Sequence, residues 1–189
     1  LHFEVIPKTV DEYYQHRVKI AEQDEAGRLE NPAWHIHAGV PEAGGLPVSF
    51  TLLLNLASVC LAETPEVVWG YVSDYAPGVS AESHPELDRM IGYAVNYYQD
   101  MVRPHKTYRL PTAEEAAQIE ALAATIEALP ADADAEAVQS AVYATGKDAG
   151  YENLRVWFQC LYEILLGQSE GPRMGSFFAL YGRGRSVAL

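Results

Sequence analysis

The strongest constraint on the fold is the repeated 3.6-residue spacing of apolar residues, which indicates helices along nearly the whole chain. No segment alternates convincingly between apolar and polar residues, so nothing in the pattern favours an organising sheet. Capping residues, prolines and glycines divide the pattern into eight predicted helices. They run from Thr9 or Asp11 to Ala26, Pro47 to Leu61, Pro65 to Tyr75, Pro85 to Val102, Thr112 to Leu129, Asp132 or Asp134 to Lys147, Asn153 to the stop at Gly167, and Pro172 to Tyr181.

Local capping signals support several of these helix ends. Ser83 with Glu86, and Thr112 with Glu115, have the spacing of a capping box, and Asn153 is a suitable N-cap for the helix that follows. Gly27 and Gly182 are predicted to stop the helices before them. The sequence therefore predicts an all-α fold, a multi-helix globule with at most a minor strand pair near Trp34 to Val40.

Composition favours a soluble globular protein. Hydrophobic residues make up 49% of the 189 residues, and no apolar stretch reaches the ~18 residues of a membrane span. The first residues have neither the basic nor the apolar region of a signal peptide. Two lone cysteines, Cys60 and Cys160, are expected to be buried thiols in a reducing compartment. We therefore expect a cytoplasmic protein with no membrane partner.

The charge is strongly acidic but unevenly distributed. A formal net charge of -13 argues against a general nucleic-acid binder, because nonspecific binding depends on neutralising phosphates. The run from Glu114 to Glu136 has seven acids and no Lys or Arg, whereas Val138 to Leu189 has five basic against four acidic residues. A second basic segment runs from Arg103 to Arg109. This uneven distribution therefore allows a locally positive surface on an otherwise acidic protein.

Two histidines are the only candidates for a metal pair. If the segment is extended, His35 and His37 face the same side and could supply two ligands. A metal site usually needs a third protein ligand, and none stands at a standard spacing. We expect no metal, and an enzyme that uses these histidines with a metal is the weakest alternative.

The segment from Gly171 to Gly175 has two interpretations. Its glycines open a helix whose free N–H groups, beside Arg173, are suited to an anion such as phosphate. Alternatively, the glycines permit close packing at a tight turn between helices. It lacks the Lys-Ser/Thr ending of a phosphate loop, which argues against nucleotide hydrolysis.

Several longer segments together resemble one family. They are Leu1 to Pro7 with Val10 to Tyr13, Trp34 to His37, Pro47 to Leu56, Tyr93 to Asp100, Val102 to Pro104, Tyr108 to Pro111, Trp157 to Gln168, and Gly171 to Phe178. These segments resemble the carboxy-terminal, anticodon-binding part of class I lysyl-tRNA synthetases. The resemblance covers nearly the whole chain, up to about Gly182.

The resemblance implies a helical cage like that of glutamyl-tRNA synthetases, which holds the anticodon stem-loop of lysine tRNA. The family's two ATP signatures, His-Ile-Gly-His and Lys-Met-Ser-Lys-Ser, do not occur in these residues, and His37 stands where the first would have glycine. The resemblance therefore implies lysine–tRNA ligation for the whole protein, with ATP and Mg²⁺ used by a catalytic domain of the same parent chain. These residues alone are expected to be inactive.

The predicted RNA contacts combine cations with aromatic rings that stack on unpaired bases. The candidate residues are Arg173, Phe177, Phe178, His35, His37, Arg103, Lys106 and Arg109. We expect a helical subdomain over residues 1–111 and an anticodon-binding subdomain over 112–189, with no DNA partner. The alternative is a structural domain that supports the catalytic half and touches tRNA little.

Overall fold

The computed structural model describes residues 2–41 and 45–189, and in these ranges every regular element is helical. The all-α prediction is confirmed. The α-helices are α1 (Ile6–Lys19), α2 (Glu25–Glu30), α3 (Pro32–His37), α4 (Phe50–Val59), α5 (Pro65–Tyr75), α6 (Pro85–Tyr97), α7 (Ala113–Glu127), α8 (Ala135–Asp148), α9 (Leu154–Leu161), α10 (Met174–Tyr181) and α11 (Arg183–Val187). In the described residues no helix is both long enough and apolar enough to cross a bilayer.

The amino-terminal helices differ from the prediction. The first predicted helix is two helices, because Asp24 caps α2 by accepting from the N–H of Gly27 at 2.9 Å. Gly27 therefore lies inside a helix rather than ending one. The minor strand pair that the sequence allowed near Trp34 does not form in the described residues, since Asn31 caps α3 there and its Oδ1 accepts from Ala33 N–H at 2.9 Å.

Most of the remaining helix starts follow the sequence, with two exceptions. The helix predicted from Pro47 begins at Phe50, where Ser49 caps α4. Thr112 and Glu115 form a complete capping box at α7, and Asp134 and Asn153 cap α8 and α9. Ser83 caps nothing: it bonds instead with its neighbours Ser80 and His84, and α6 begins without a side-chain cap. Side-chain caps therefore begin most of the α-helices in residues 112–189.

A single hydrophobic core joins the helices on both sides of the predicted boundary at residues 111 and 112. Its buried side chains come from α4 to α10, and Trp157 at its centre is fully buried, with its indole N–H donating to Val142 O at 3.0 Å. The division into 1–111 and 112–189 therefore stays a prediction about folding units.

Two π-helical turns bring the basic segment against α9. Tyr98–Val102 extends α6, and Tyr162–Leu166 extends α9 up to Gly167, whose backbone is left-handed (φ 68°). The chain after Arg103 then runs along the second turn, where Thr107 N–H donates to Gly167 O at 3.0 Å. This contact places the basic segment beside the π-helical extension of α9.

Candidate nucleic-acid interface

One face of α9 and its π-helical extension lines a surface cleft. Arg155, Phe158, Gln159 and Tyr162 stand at helical spacings that share a face, opposite the segment Ser169–Gly171. The cleft has a volume of about 700 Å³, within the range of small-ligand sites. We call it the aromatic cleft.

A row of aromatic rings forms the apolar part of the aromatic cleft and its edge. Phe158 and Tyr162 have ring centroids 6.3 Å apart, and Tyr143 of α8 meets Phe158 edge-on at 5.2 Å. Tyr143 is 44% exposed and Phe158 is only partly buried. Partly exposed rings of this kind can stack on unpaired bases of any identity.

The floor of the aromatic cleft is fixed by Tyr162. Its hydroxyl donates to Pro172 O at 2.8 Å, and burial raises the pKa of this phenol to about 12. A Cβ on Gly171 would lie 2.5 Å from the Tyr162 ring. Only glycine therefore allows the segment before α10 to pass this close to the ring.

The rim beside Gln159 is a network of ion pairs. Arg109 donates from Nε to Glu163 Oε2 at 2.7 Å and pairs through both terminal nitrogens with Glu115, at 2.7 and 2.8 Å. Glu163 Oε1 accepts from Gln159 Nε2 at 2.7 Å. The Arg109 guanidinium lowers the pKa of Glu163 and, as the main cause, lowers that of Glu115 to about 2.

One exposed cation on α9 and one on α8 have no side-chain partner in the part of the chain that the structure describes. The guanidinium of Arg155 has no hydrogen bond or ion pair with any residue in 2–41 or 45–189, and the same holds for the ammonium of Lys147, one turn after Tyr143 on α8. Both groups are therefore free to meet phosphates.

Arg173 lies at the N-cap of α10, directly after Pro172, and is exposed. It pairs with Glu136 of α8, not with Glu163, which is held by Arg109. The helix start is less open than the anion-site interpretation requires, because Gly175 N–H already donates to Gln139 Oε1 at 2.8 Å. A Cβ on Gly175 would lie 2.2 Å from Ala135 O, so close packing explains this glycine.

Phe177 and Phe178 cannot stack on bases in this structure. Their side chains are 0% and 2% exposed, and both belong to the core between α8 and α10. Neither of these two rings is therefore available to stack on a base, while RNA binding itself stays a prediction. In the aromatic cleft the accessible rings are instead those of Tyr143 on α8 and Phe158 on α9.

The basic segment is mostly engaged inside the protein. Lys106 Nζ donates to Ser58 O at 2.7 Å and lies 4.8 Å from the centre of the Tyr108 ring, and burial lowers the pKa of this ammonium to about 8. Arg109 is held by the carboxylates of Glu115 and Glu163. Arg103 is exposed at the turn before Lys106.

His35 and His37 lie apart from these features on α3. On a helix, residues two apart point in different directions, and the two rings have different partners: His35 Nε2 meets Leu29 O at 2.7 Å and His37 Nε2 meets Tyr13 Oη at 2.8 Å. The extended segment assumed for a shared metal is thus wrong. Across residues 2–41 and 45–189 there is no cluster of three or more His, Cys, Asp or Glu suited to a metal.

Of the predicted residues, Arg109 reaches the aromatic cleft only through Glu163 and Gln159, and Arg173 lies two residues after Gly171 of the cleft lining. The sequence did not identify Phe158 or Tyr162 as site residues. Phe158 and Tyr162 share one face of α9 with Arg155 and Gln159, and this mixture of polar and aromatic residues at helical spacings was the available signal. The contact with Tyr143 required the tertiary structure.

Comparison with known proteins gives a consistent set of relatives. The chain is 47% identical over 189 residues to a lysine–tRNA ligase of Roseobacter denitrificans, covering the whole chain and 36% of that protein. It is 42% identical over 191 residues to a lysine–tRNA ligase of Rickettsia bellii (100% and 37% covered) and 43% identical over 184 residues to one of Rickettsia peacockii (96% and 35%). No protein-family model matches the chain. The chain thus spans little more than a third of the length of these relatives.

Proposed function

We propose a function for this chain on the premise that it belongs to the lysine–tRNA ligase family, as a segment of such a protein. In this proposal it is the anticodon-binding part of a class I enzyme and docks the anticodon loop of lysine tRNA. ATP-dependent attachment of lysine, with Mg²⁺, belongs to the other two thirds of the protein. The segment alone forms no lysyl-adenylate.

The aromatic cleft is the observation that carries the proposal. Proteins read single-stranded RNA loops by stacking splayed bases on aromatic side chains and arginine planes. Phe158 and Tyr143 supply rings at the surface, and Arg155 supplies an unpaired guanidinium beside them. The polar side-chain groups of His35 and Lys106, by contrast, are already bonded within the chain.

The cations near the cleft supply the phosphate contacts. Arg155, Lys147 and Arg173 are exposed on the elements that form or border it. The ion pair between Arg173 and Glu136 is exposed on both sides, with 53% and 66% of the side chains accessible. Exposed pairs of this kind contribute about 0–1 kcal/mol, so a phosphate can displace the carboxylate at little cost.

The test is the affinity of the chain for lysine tRNA after Phe158→Ala. Removing a stacking ring typically costs about 1–3 kcal/mol per base, or roughly 5- to 150-fold in affinity. Tyr93→Ala is the matched control, because Tyr93 is 56% exposed on α6, outside the aromatic cleft. Thermal unfolding of both variants separates a binding defect from a folding defect.

If Phe158→Ala binds lysine tRNA as tightly as the unchanged chain, the aromatic cleft is not the contact surface. If the unchanged chain shows no affinity for lysine tRNA at all, the structural-support function replaces this proposal.

A further inference from the structure

We propose that a groove between α1 and α6 is the surface on which the remainder of the ligase packs. The occupant is the portion of a lysine–tRNA ligase that lies outside this chain, because the chain spans little more than a third of the length of its relatives. The inference rests on membership of the family and is independent of RNA binding in the aromatic cleft.

The groove is apolar from its floor to its rim. Phe50 of α4, which is buried in the core, forms the floor, and Ile6 and Val10 of α1 line one side. Met90 and Tyr93 of α6 line the other side. The groove has a volume of about 310 Å³, and every side chain that lines it is uncharged. Apolar surface continuous with the core is thus open to solvent here.

Hydrogen bonds at both ends hold α1 and α6 at a fixed separation. At one end, Tyr97 Oη donates to Phe3 O at 3.1 Å. At the other end, Tyr14 Oη and Arg17 Nη1 donate to Glu86 Oε1, at 3.0 and 2.7 Å. Helix α4 packs beneath both helices. The groove is therefore preformed, and a partner that enters it has little conformational entropy to remove.

The hydroxyl groups around the groove are mostly used within the chain. Four tyrosines line it, and three of them have internal partners. Tyr13 Oη and His37 Nε2 are hydrogen-bonded at 2.8 Å, and Tyr14 and Tyr97 donate to Glu86 and to Phe3 O. The groove therefore presents mainly carbon atoms to a partner. The aromatic cleft differs, because an unpaired guanidinium stands beside its rings.

Exposed aromatic rings at the groove supply anchors for a protein partner. Tyr93 is exposed on α6, and the side chain of Phe3 is 62% exposed at the end where Tyr97 binds its carbonyl. Contiguous exposed apolar surface marks interaction sites, and aromatic residues are enriched in them. In the relatives, the remainder of the ligase belongs to the same polypeptide and therefore meets the groove at a high effective concentration. This tethering favours it over a second copy of the chain.

The experiment compares how fast an introduced thiol reacts with iodoacetamide in the isolated chain and in the full-length ligase that contains it. Tyr93→Cys places the thiol in the groove, and Tyr143→Cys, in the aromatic cleft, is the matched control. Burial raises the pKa of Cys60 and Cys160 to about 11, so these native thiols react slowly. Mass spectrometry of the peptide that contains each position gives its labelling rate.

We expect labelling at position 93 to be at least about 10-fold slower in the full-length ligase, because the reagent reaches a covered thiol only when the two parts open. Labelling at position 143 should proceed at the same rate in both proteins. Amide hydrogen exchange of the unchanged proteins is the second measurement, since loss of the Tyr93 ring could itself weaken the contact. Exchange of α1 and α6 should be slower in the ligase, relative to exchange of α8.

Equal labelling at position 93, together with equal exchange of α1 and α6 in the two proteins, would overturn the inference and leave the proposed function standing. Labelling that slows as the isolated chain is concentrated would assign the groove to a second copy, and labelling that slows when lysine tRNA is added would assign it to RNA. Either result would overturn the inference. Slower labelling in the ligase at position 143, with none at position 93, would overturn both this inference and the proposed function.

Discussion

At the scale of single residues, burial decides what each cation can do. Lys106 and Arg155 both stand in segments that the sequence marks as basic. Lys106 is folded inward against Ser58 O and the Tyr108 ring, whereas Arg155 projects from a capped helix start with no partner among the described residues. Only the second arrangement leaves a charge available to a polyanion. The same kind of side chain is therefore held inside the fold in one place and left available for binding in another.

The burial of Lys106 predicts a pH effect on stability. Its pKa is about 8 in the folded chain because the ammonium is desolvated, and about 10.4 in an unfolded one. Between these values the unfolded chain binds a proton that the native chain does not, so the free energy of unfolding rises with pH. Urea denaturation from about pH 7.5 to about pH 9.5 should show the unchanged chain gaining stability relative to Lys106→Met.

Cys60, whose pKa burial raises to about 11, acts in the opposite direction but is common to both chains. Parallel stability curves for the two chains would mean that Lys106 stays charged and hydrated.

At the scale of the elements, α8 and α10 meet in a close backbone contact at Gly175. Gly175 allows the backbone of α10 to approach α8, and its N–H is capped by the buried side chain of Gln139. The contact fixes the start of α10 and with it the preceding Ser169–Gly171 wall of the aromatic cleft, where Pro172 O accepts from Tyr162. The geometry of the candidate site therefore depends on one glycine behind it.

Gly175→Ala should destabilise the chain. Its new Cβ would lie 2.2 Å from Ala135 O and 2.7 Å from Gln139 Cβ, so the backbone must move. Overpacking of this kind typically costs about 1–3 kcal/mol. Gly92→Ala is the matched control, because Gly92 is also helical but has nothing within 4 Å of an added Cβ. That change should stabilise the chain by about 0.5–1 kcal/mol.

Urea denaturation of the two variants provides the measurement. Similar shifts of the urea midpoint for Gly175→Ala and Gly92→Ala would show that α8 and α10 can move apart without loss of stability.

At the scale of the whole molecule, the acidic surface limits how RNA can bind. A net charge of -13 repels a polyanion over a Debye length of about 8–10 Å in physiological salt. Two acids of the run from Glu114 to Glu136 are paired, Glu115 with Arg109 and Glu136 with Arg173. Binding must therefore use a few cations at short range, and base stacking must supply much of the affinity.

This charge distribution predicts a shallow salt dependence. With Arg155, Lys147 and Arg173 as the phosphate contacts, the slope of log affinity against log salt should be about −2, from roughly −0.7 for each contact with single-stranded RNA. Arg155→Ala should reduce the magnitude of that slope by roughly 0.7. Titration of the anticodon stem-loop of lysine tRNA at several salt concentrations gives the slope. A slope steeper than about −4 would indicate contacts beyond this surface.

The sequence by itself determined the helical class, most helix starts and the family resemblance, because these depend on local spacing, capping residues and contiguous segments. Thr112 with Glu115 and the cap at Asn153 needed no distant partner. The tertiary structure alone decided which side chains reach the surface. Phe177 is buried, Phe158 lies in a cleft beside Tyr143, and Arg109 reaches Glu163 across 54 positions of sequence. Exposure and long-range pairing arise from packing one helix against another, and no local pattern records that packing.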